Sequence, residues 1–147
     1  MGKQKLELSI PINASKEKIW DVLLKDENYR KWTTVFHEGS YAEGSWDEGS
    51  KMYFKGPSGE GMVSRIKLHK PNEIITIEHN GMVKDNVEDY DSDQAKLWKD
   101  SNETYRLEPN GSGNTLFIEV DVVDEYAEWF KTTWQKAVEI VKELAEK

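Results

Sequence analysis

The sequence predicts an α+β domain: a curved antiparallel sheet of about seven strands wrapped around one long C-terminal helix, with two short helices after the first strand. Three observations carry that expectation. Leu6, Leu8, Ile10 and Ile12 alternate with more polar residues, the period of a half-buried strand, and later segments repeat the pattern. From about residue 38 to 123 those segments are separated by turn chemistry. Residues 125–146 then carry Trp129, Phe130, Thr133, Trp134, Ala137, Val138, Val141 and Leu144 at spacings of three and four, an amphipathic helix.

Taken in order, the first strand ends near Ile12, where Asn13 or Ser15 can cap a helix with apolar positions Ile19, Trp20, Leu23 and Leu24. A short second helix, opened by Asp26, runs through Tyr29 and Trp32. Strands are expected at 38–46, 50–56, 60–70, 73–80, 102–109 and 114–123. Asp47-Glu48-Gly49, Gly56-Pro57-Ser58-Gly59, Pro71-Asn72 and Pro109-Asn110-Gly111-Ser112-Gly113 divide them, and the last two suit hairpin turns. In 60–70, Met62, Ser64, Ile66 and Leu68 share one face, with Arg65, Lys67 and His69 on the other. In 114–123, Leu116, Ile118, Val120 and Val122 oppose Glu119 and Asp121. A sheet with one dry face needs one covering layer. Some twenty helical residues reach roughly 30 Å, enough to cross it. A curved sheet meets a straight helix better at its ends than in its middle, so a pocket is expected between them.

A chain of 147 residues is read as one domain, 1–147, large enough for a real core. Its net charge of −8 argues against nucleic acid or an anionic membrane as partner. The absence of cysteine excludes a disulfide framework, a thiol nucleophile and a thiolate metal site. The opening MGKQKLELSIPIN lacks the apolar run of a secretory signal, and no eighteen apolar residues run together. A soluble, cytoplasmic protein without membrane insertion is therefore expected.

The stretch DNVEDYDSDQAKLWKD, residues 85–100, places Asp89, Asp91, Asp93 and Asp100 at positions 1, 3, 5 and 12 of a calcium loop. Gln94 stands where that loop needs glycine, and Leu97 brings no oxygen at position 9. Both flanks read as strands rather than helices. With Met82, Val83, Val87, Tyr90, Leu97 and Trp98 the segment has an apolar side as well, which suits a flap over the pocket mouth with its acidic side in water.

Inward alternation places His79 with Ile75 and Ile77, and Glu103 with Tyr105 and Leu107. A histidine and a carboxylate in one cavity offer a general base and its orienting group, so His79, Tyr105 and Glu103 are the catalytic candidates. The three histidines fall in separate segments without an i,i+4 pair, so no zinc site is expected. No P-loop, G-x-G-x-x-G or G-x-S-x-G motif occurs, and no cofactor is expected.

This element order, with INASKEKIWDVLLKDENYRKW near the start and WQKAVEIVKEL near the end, resembles the START-like (SRPBCC), helix-grip superfamily. The matching branch looks like the homologues of the heat-shock-protein-90 ATPase activator. Its opening I-x-A-S-x-E-x-V-W-x-x-L is matched by Ile12, Ala14, Ser15, Glu17, Ile19, Trp20 and Leu23. Trp32 closes the second helix, and Trp134 begins the ending, where Val138 and Val141 replace leucines. These are mostly core and capping residues, so they specify fold far better than chemistry. The resemblance implies a hydrophobic cavity. Residues expected to line it are Trp20, Trp32, Ser64, Ile66, Ile77, His79, Trp98, Tyr105, Ile118, Trp129, Phe130, Thr133, Trp134 and Ala137. The co-chaperone role belongs to a eukaryotic member with an additional N-terminal domain and is not carried over. The expected function is binding of a small hydrophobic or aromatic ligand, such as a lipid or polyketide. A cyclase- or hydrolase-type enzyme in the same cavity is the alternative. A third reading is an interaction module whose acidic face meets a basic, chaperone-associated protein partner.

Overall fold

The computed structural model describes residues 2–147. Strand β1 (Lys3–Ile12) leads into α1 (Lys16–Leu24) and α2 (Asp26–Trp32), and a 3-10 turn (Thr33–Val35) continues from the second helix. Strands β2 (Tyr41–Gly44), β3 (Lys51–Lys55), β4 (Gly61–Lys70) and β5 (Ile74–Lys84) follow. Next come β6 (Val87–Asp89), α3 (Asp93–Trp98), β7 (Ser101–Pro109) and β8 (Asn114–Val123), and the C-terminal helix α4 spans Ala127–Ala145.

The sheet has eight strands in the order β1-β8-β7-β5-β4-β3-β2, all antiparallel, with β6 paired to the second half of β5. Ser15 caps α1 by accepting the Lys18 N–H at 3.1 Å. Asn13 instead donates its own backbone N–H to Glu146 (2.8 Å), tying the end of α4 to the β1–α1 connection. Lys142 adds a bond to the Pro11 carbonyl at 3.0 Å. Asp26 is the first helical residue of α2, where its carboxylate suits the positive helix end and pairs with Arg30. The core joins Ile12, Ile19 and Leu23 to Leu116, Ile118, Val138 and Val141, between α1, the sheet and the C-terminal half of α4. That leaves the N-terminal half of α4 to face β3, β4, β5 and β7.

Two features depart from simple alternation. Register shifts fall between Val63 and Ser64 and between Ile66 and Leu68. They leave Asn80 and Lys67 as extra residues, and each bulge reverses which face the following residues take. His69 therefore joins Ile75 on the inner face, correcting its expected place beside Arg65 and Lys67. There its Nε2 accepts the Trp20 indole N–H (3.0 Å), so Nδ1 carries the proton and donates to the Trp46 carbonyl at 2.7 Å. Past Asn80, Met82 pairs with Met62 on the inner face, while Gly81 and Val63 turn outward.

The second departure is the acidic stretch. Strand β5 runs four residues beyond its expected end, and Asp85 and Asn86, with φ of 53° and 64°, turn the chain back into β6. Positive φ at both central residues is the two-residue turn that matches strand twist. Asp89 then accepts the backbone N–H groups of Asp91 and Ser92, each at 3.0 Å, and Ser92 caps α3. The carboxylate that would have opened a calcium loop thus organises a turn. Tyr90 lies over Gly81, where a Cβ would meet the Asp89 carbonyl at 2.6 Å and the Tyr90 ring at 2.7 Å. Gly81→Ala is expected to cost about 1–3 kcal/mol in urea unfolding, with faster hydrogen exchange confined to β6 and its turn.

Candidate functional site

A cavity of about 400 Å³ lies between the inner face of the sheet, the α2 end and the first half of α4, within the range that drug-sized molecules occupy. Helix α2 and the turn after it bring Tyr29, Trp32, Thr33 and Phe36, while α4 brings Phe130 and Trp134 one turn apart. Phe54, Met62, His79, Met82, Glu103 and Tyr105 come from the inner positions of β3, β4, β5 and β7. The rings form a continuous wall. Trp134 lies 5.7 Å from Trp32, 5.9 Å from Tyr105 and 4.9 Å from Phe36, and Tyr29 is 6.2 Å from Phe54, between centroids. Such spacings are those of favourable edge and tilted contacts.

One end of this apolar space is polar. Ser64 Oγ lies 2.6 Å from His79 Nδ1, and His79 Nε2 lies 2.8 Å from Glu103 Oε1. Tyr105 donates its hydroxyl to Glu103 Oε2 at 2.7 Å. A neutral imidazole satisfies the chain: the Ser64 O–H donates to Nδ1 and Nε2–H donates to the carboxylate. Burial works against a charge on Glu103, yet hydrogen bonds from His79 and Tyr105 hold its carboxyl below the ordinary range. Burial, reinforced by the Glu103 charge and the neighbouring Tyr29, pushes the Tyr105 phenol well above its usual value. Burial and then Glu103 raise Tyr29 in the same way.

This chain is no serine-nucleophile triad. Ser64 is 1% exposed and stands behind the histidine, while the carboxylate, the one member 21% exposed, faces the cavity. In a triad those positions are reversed. Lys55 borders the cavity, but strand alternation turns its ammonium outward, where Glu43 (3.3 Å) and the Tyr53 ring hold it.

Of the residues expected at the cavity, the structure brings together Trp32, His79, Glu103, Tyr105, Phe130 and Trp134. The others stand elsewhere. Trp20 is occupied with His69, and Ile66, Ile77, Ile118 and Ala137 are packed in the core. Thr133 returns its hydroxyl to the Trp129 carbonyl (2.7 Å), and Trp129 itself is half exposed. Trp98 stacks on Tyr126 and buttresses Phe130 from outside at 5.7 Å. Among the described residues, none from 85–100 borders the cavity, which corrects the expected flap: the paired hairpin holds that segment on β5. The mouth is rimmed by His37, Ser40 and Tyr41 and by the Gly56–Gly61 turn. Tyr29, Thr33, Phe36, Phe54 and Met82 went unforeseen. Phe54 was legible from its alternation with Met52, and Tyr29 from its place one turn before Trp32. Met82 reaches the cavity through an unmarked bulge, and Phe36 lies outside any periodic element.

A curved antiparallel sheet gripping a C-terminal helix, with a cavity between them, is the helix-grip architecture of START-like proteins. Within it, the chain belongs to the family described as Activator of Hsp90 ATPase homolog 1-like protein, whose sequence model matches residues 13–146. Protein MLL2253 from Mesorhizobium loti superposes with a TM-score of 0.74 at 16% identity, covering 96% of each chain. The Aha1 dimer structure from Colwellia psychrerythraea gives 0.67 at 19% identity over 97% of this chain and 96% of that one. DynU16, of the dynemicin biosynthetic locus, gives 0.69 at 10% identity, and 95% of this chain covers 46% of it. Identities this low carry the fold alone. No curated protein matches the chain. Among the described residues, no helix is long and apolar enough to cross a membrane.

Proposed function

We propose that the protein binds a small, largely apolar or aromatic molecule in this cavity. The observation that supports the reading is the cavity itself: about 400 Å³ walled by aromatic rings and two methionines, with the hydrogen-bonded His79, Glu103 and Tyr105 at its sheet end and a polar rim. Affinity comes from burial of apolar area, about 25 cal/mol per Å², and the polar end sets orientation. DynU16 belongs to a biosynthetic locus and shares this architecture, which accords with a guest of natural-product character.

Acid–base catalysis is the second reading, favoured by the Ser64–His79–Glu103–Tyr105 chain. Binding is preferred because both His79 nitrogens are engaged, and a carboxylate held below its ordinary range is a weak base at neutral pH. The test is a titration of the protein with neutral aromatic probes such as Nile red, followed by probe and tryptophan emission. Saturable one-to-one binding, lost when Met82→Trp fills the cavity of a protein that still folds, is expected. Absence of saturable binding, or binding indifferent to that variant, would remove the proposal.

A further inference from the structure

The charge inside the cavity is one-sided, and this deepens the binding reading on which it rests. Glu103 uses Oε1 for His79 and Oε2 for Tyr105, which leaves about two of its four lone-pair directions for a guest. In the hydrogen-bonding pattern that satisfies the cluster, Ser64 Oγ donates to His79 Nδ1 at 2.6 Å and Nε2–H donates to Glu103, so the imidazole is neutral and adds no cation. Among the residues that border the cavity, Lys55 is the one with an ammonium or guanidinium, and Glu43 and Tyr53 hold it on the outer face. A second carboxylate, Glu60, stands at the rim. An anionic guest would therefore be desolvated next to Glu103 without a cation to pair with.

The rest of the wall reinforces the same sign. Aromatic rings, whose faces carry the negative side of the quadrupole, attract ammonium groups, and Tyr29, Trp32, Phe54 and Trp134 line the space. A carboxylate with open lone pairs beside an aromatic wall is complementary to a hydrogen-bond donor, best a charged one. We propose that the cavity selects guests whose apolar or aromatic body ends in a hydrogen-bond donor without negative charge, a protonated amine above a neutral hydroxyl, and that Glu103 is the selecting group. Fatty acids and other carboxylates are excluded by the same residue.

Three probes sharing one ring system isolate the effect: 1-naphthylmethylamine, 1-naphthalenemethanol and 1-naphthoate, titrated calorimetrically at pH 7 into wild type and Glu103→Gln. The expected order is amine, alcohol, acid, with the amine at least tenfold tighter than the acid. In Glu103→Gln that gap should shrink to within about threefold, by loss of amine affinity and gain for the acid. Equal or tighter binding of naphthoate to the wild type overturns the inference and leaves the cavity as a binding site. An undiminished gap in Glu103→Gln overturns the role assigned to Glu103. Failure of all three probes to bind saturably overturns the binding reading together with this one.

Discussion

Trp32→Ala is expected to destabilise the protein by about 3–5 kcal/mol, the upper range for a buried aromatic, and to lower the melting temperature by roughly 6–20 °C. The side chain is 1% exposed and fully within the core. Its ring touches four others: Tyr29 at 5.3 Å, Phe36 at 6.5 Å, Tyr105 at 6.2 Å and Trp134 at 5.7 Å. Its indole N–H donates to the Leu23 carbonyl (3.2 Å), which fixes the angle between α1 and α2. Truncation removes all of this beside a space that already exists. Collapse onto the gap is limited because the neighbouring rings are held by one another, so the cavity term stays close to its full size. Domains of this kind are stable by about 5–15 kcal/mol, so the variant sits near the edge of folding. Trp129→Ala, half exposed on the same wall's outer side, should stay within about 0.5 kcal/mol. Urea unfolding of both variants checks the pair. A loss below about 1 kcal/mol for Trp32→Ala would mean that α2 closes over the gap, and the cavity would then be soft rather than preformed.

That contrast also marks how far the sequence could be read. Trp32 and Trp134 announce themselves by helical spacing, and β8 by unbroken alternation from Leu116 to Val122, because in these elements the backbone period runs without interruption. His79, Glu103 and Tyr105 were placed inward for the same reason, since each lies on a strand stretch without a bulge before it. The alternation fails one residue later. Asn80 has nothing in its side chain that marks an extra residue, so Met82 changes face unannounced, as His69 does after Lys67. The β6 hairpin was hidden differently. Asp85-Asn86 is turn chemistry by composition, but set within a run of acids it read as one more part of a long loop. Its pairing partner was β5 itself, and the extra length of that strand was spent on it. Consequently Trp32, Tyr105, Phe130 and Trp134 were legible in the sequence while Tyr29, Phe36 and Phe54 were not singled out, and neither was the rim, because the rim is made of turns whose positions relative to the cavity follow from the curl of the sheet.

Glu103→Leu is the second large effect, and its size should depend on pH. Leucine removes both acceptors at once, leaving His79 Nε2–H and the Tyr105 hydroxyl without partners, at a cost of about 1–3 kcal/mol near neutrality. The sign of the pH dependence follows from the depressed carboxyl. In the unfolded chain a glutamate titrates near about 4.3, and in the native protein Glu103 holds its charge to lower pH. The stability gained from that difference is fully present above the unfolded value. It is lost as pH falls through the folded value, where native and unfolded chains bind the same proton. The gap between wild type and Glu103→Leu should therefore be constant from about pH 5 to 7 and narrow below it. Other carboxyls share the acid limb: Glu88, held at about 2 by hydrogen bonds from Tyr53, Tyr90 and Lys51, contributes in the same direction from the opposite face of the sheet. The two groups share no partner, so Glu88→Gln should subtract its own part of the slope and leave the Glu103 part unchanged. Urea unfolding at half-unit steps from pH 3 to 7 separates them. A gap that widens on acidification would require the carboxyl to be raised in the folded state, and Glu103 would then stand in the cavity as a hydrogen-bond donor.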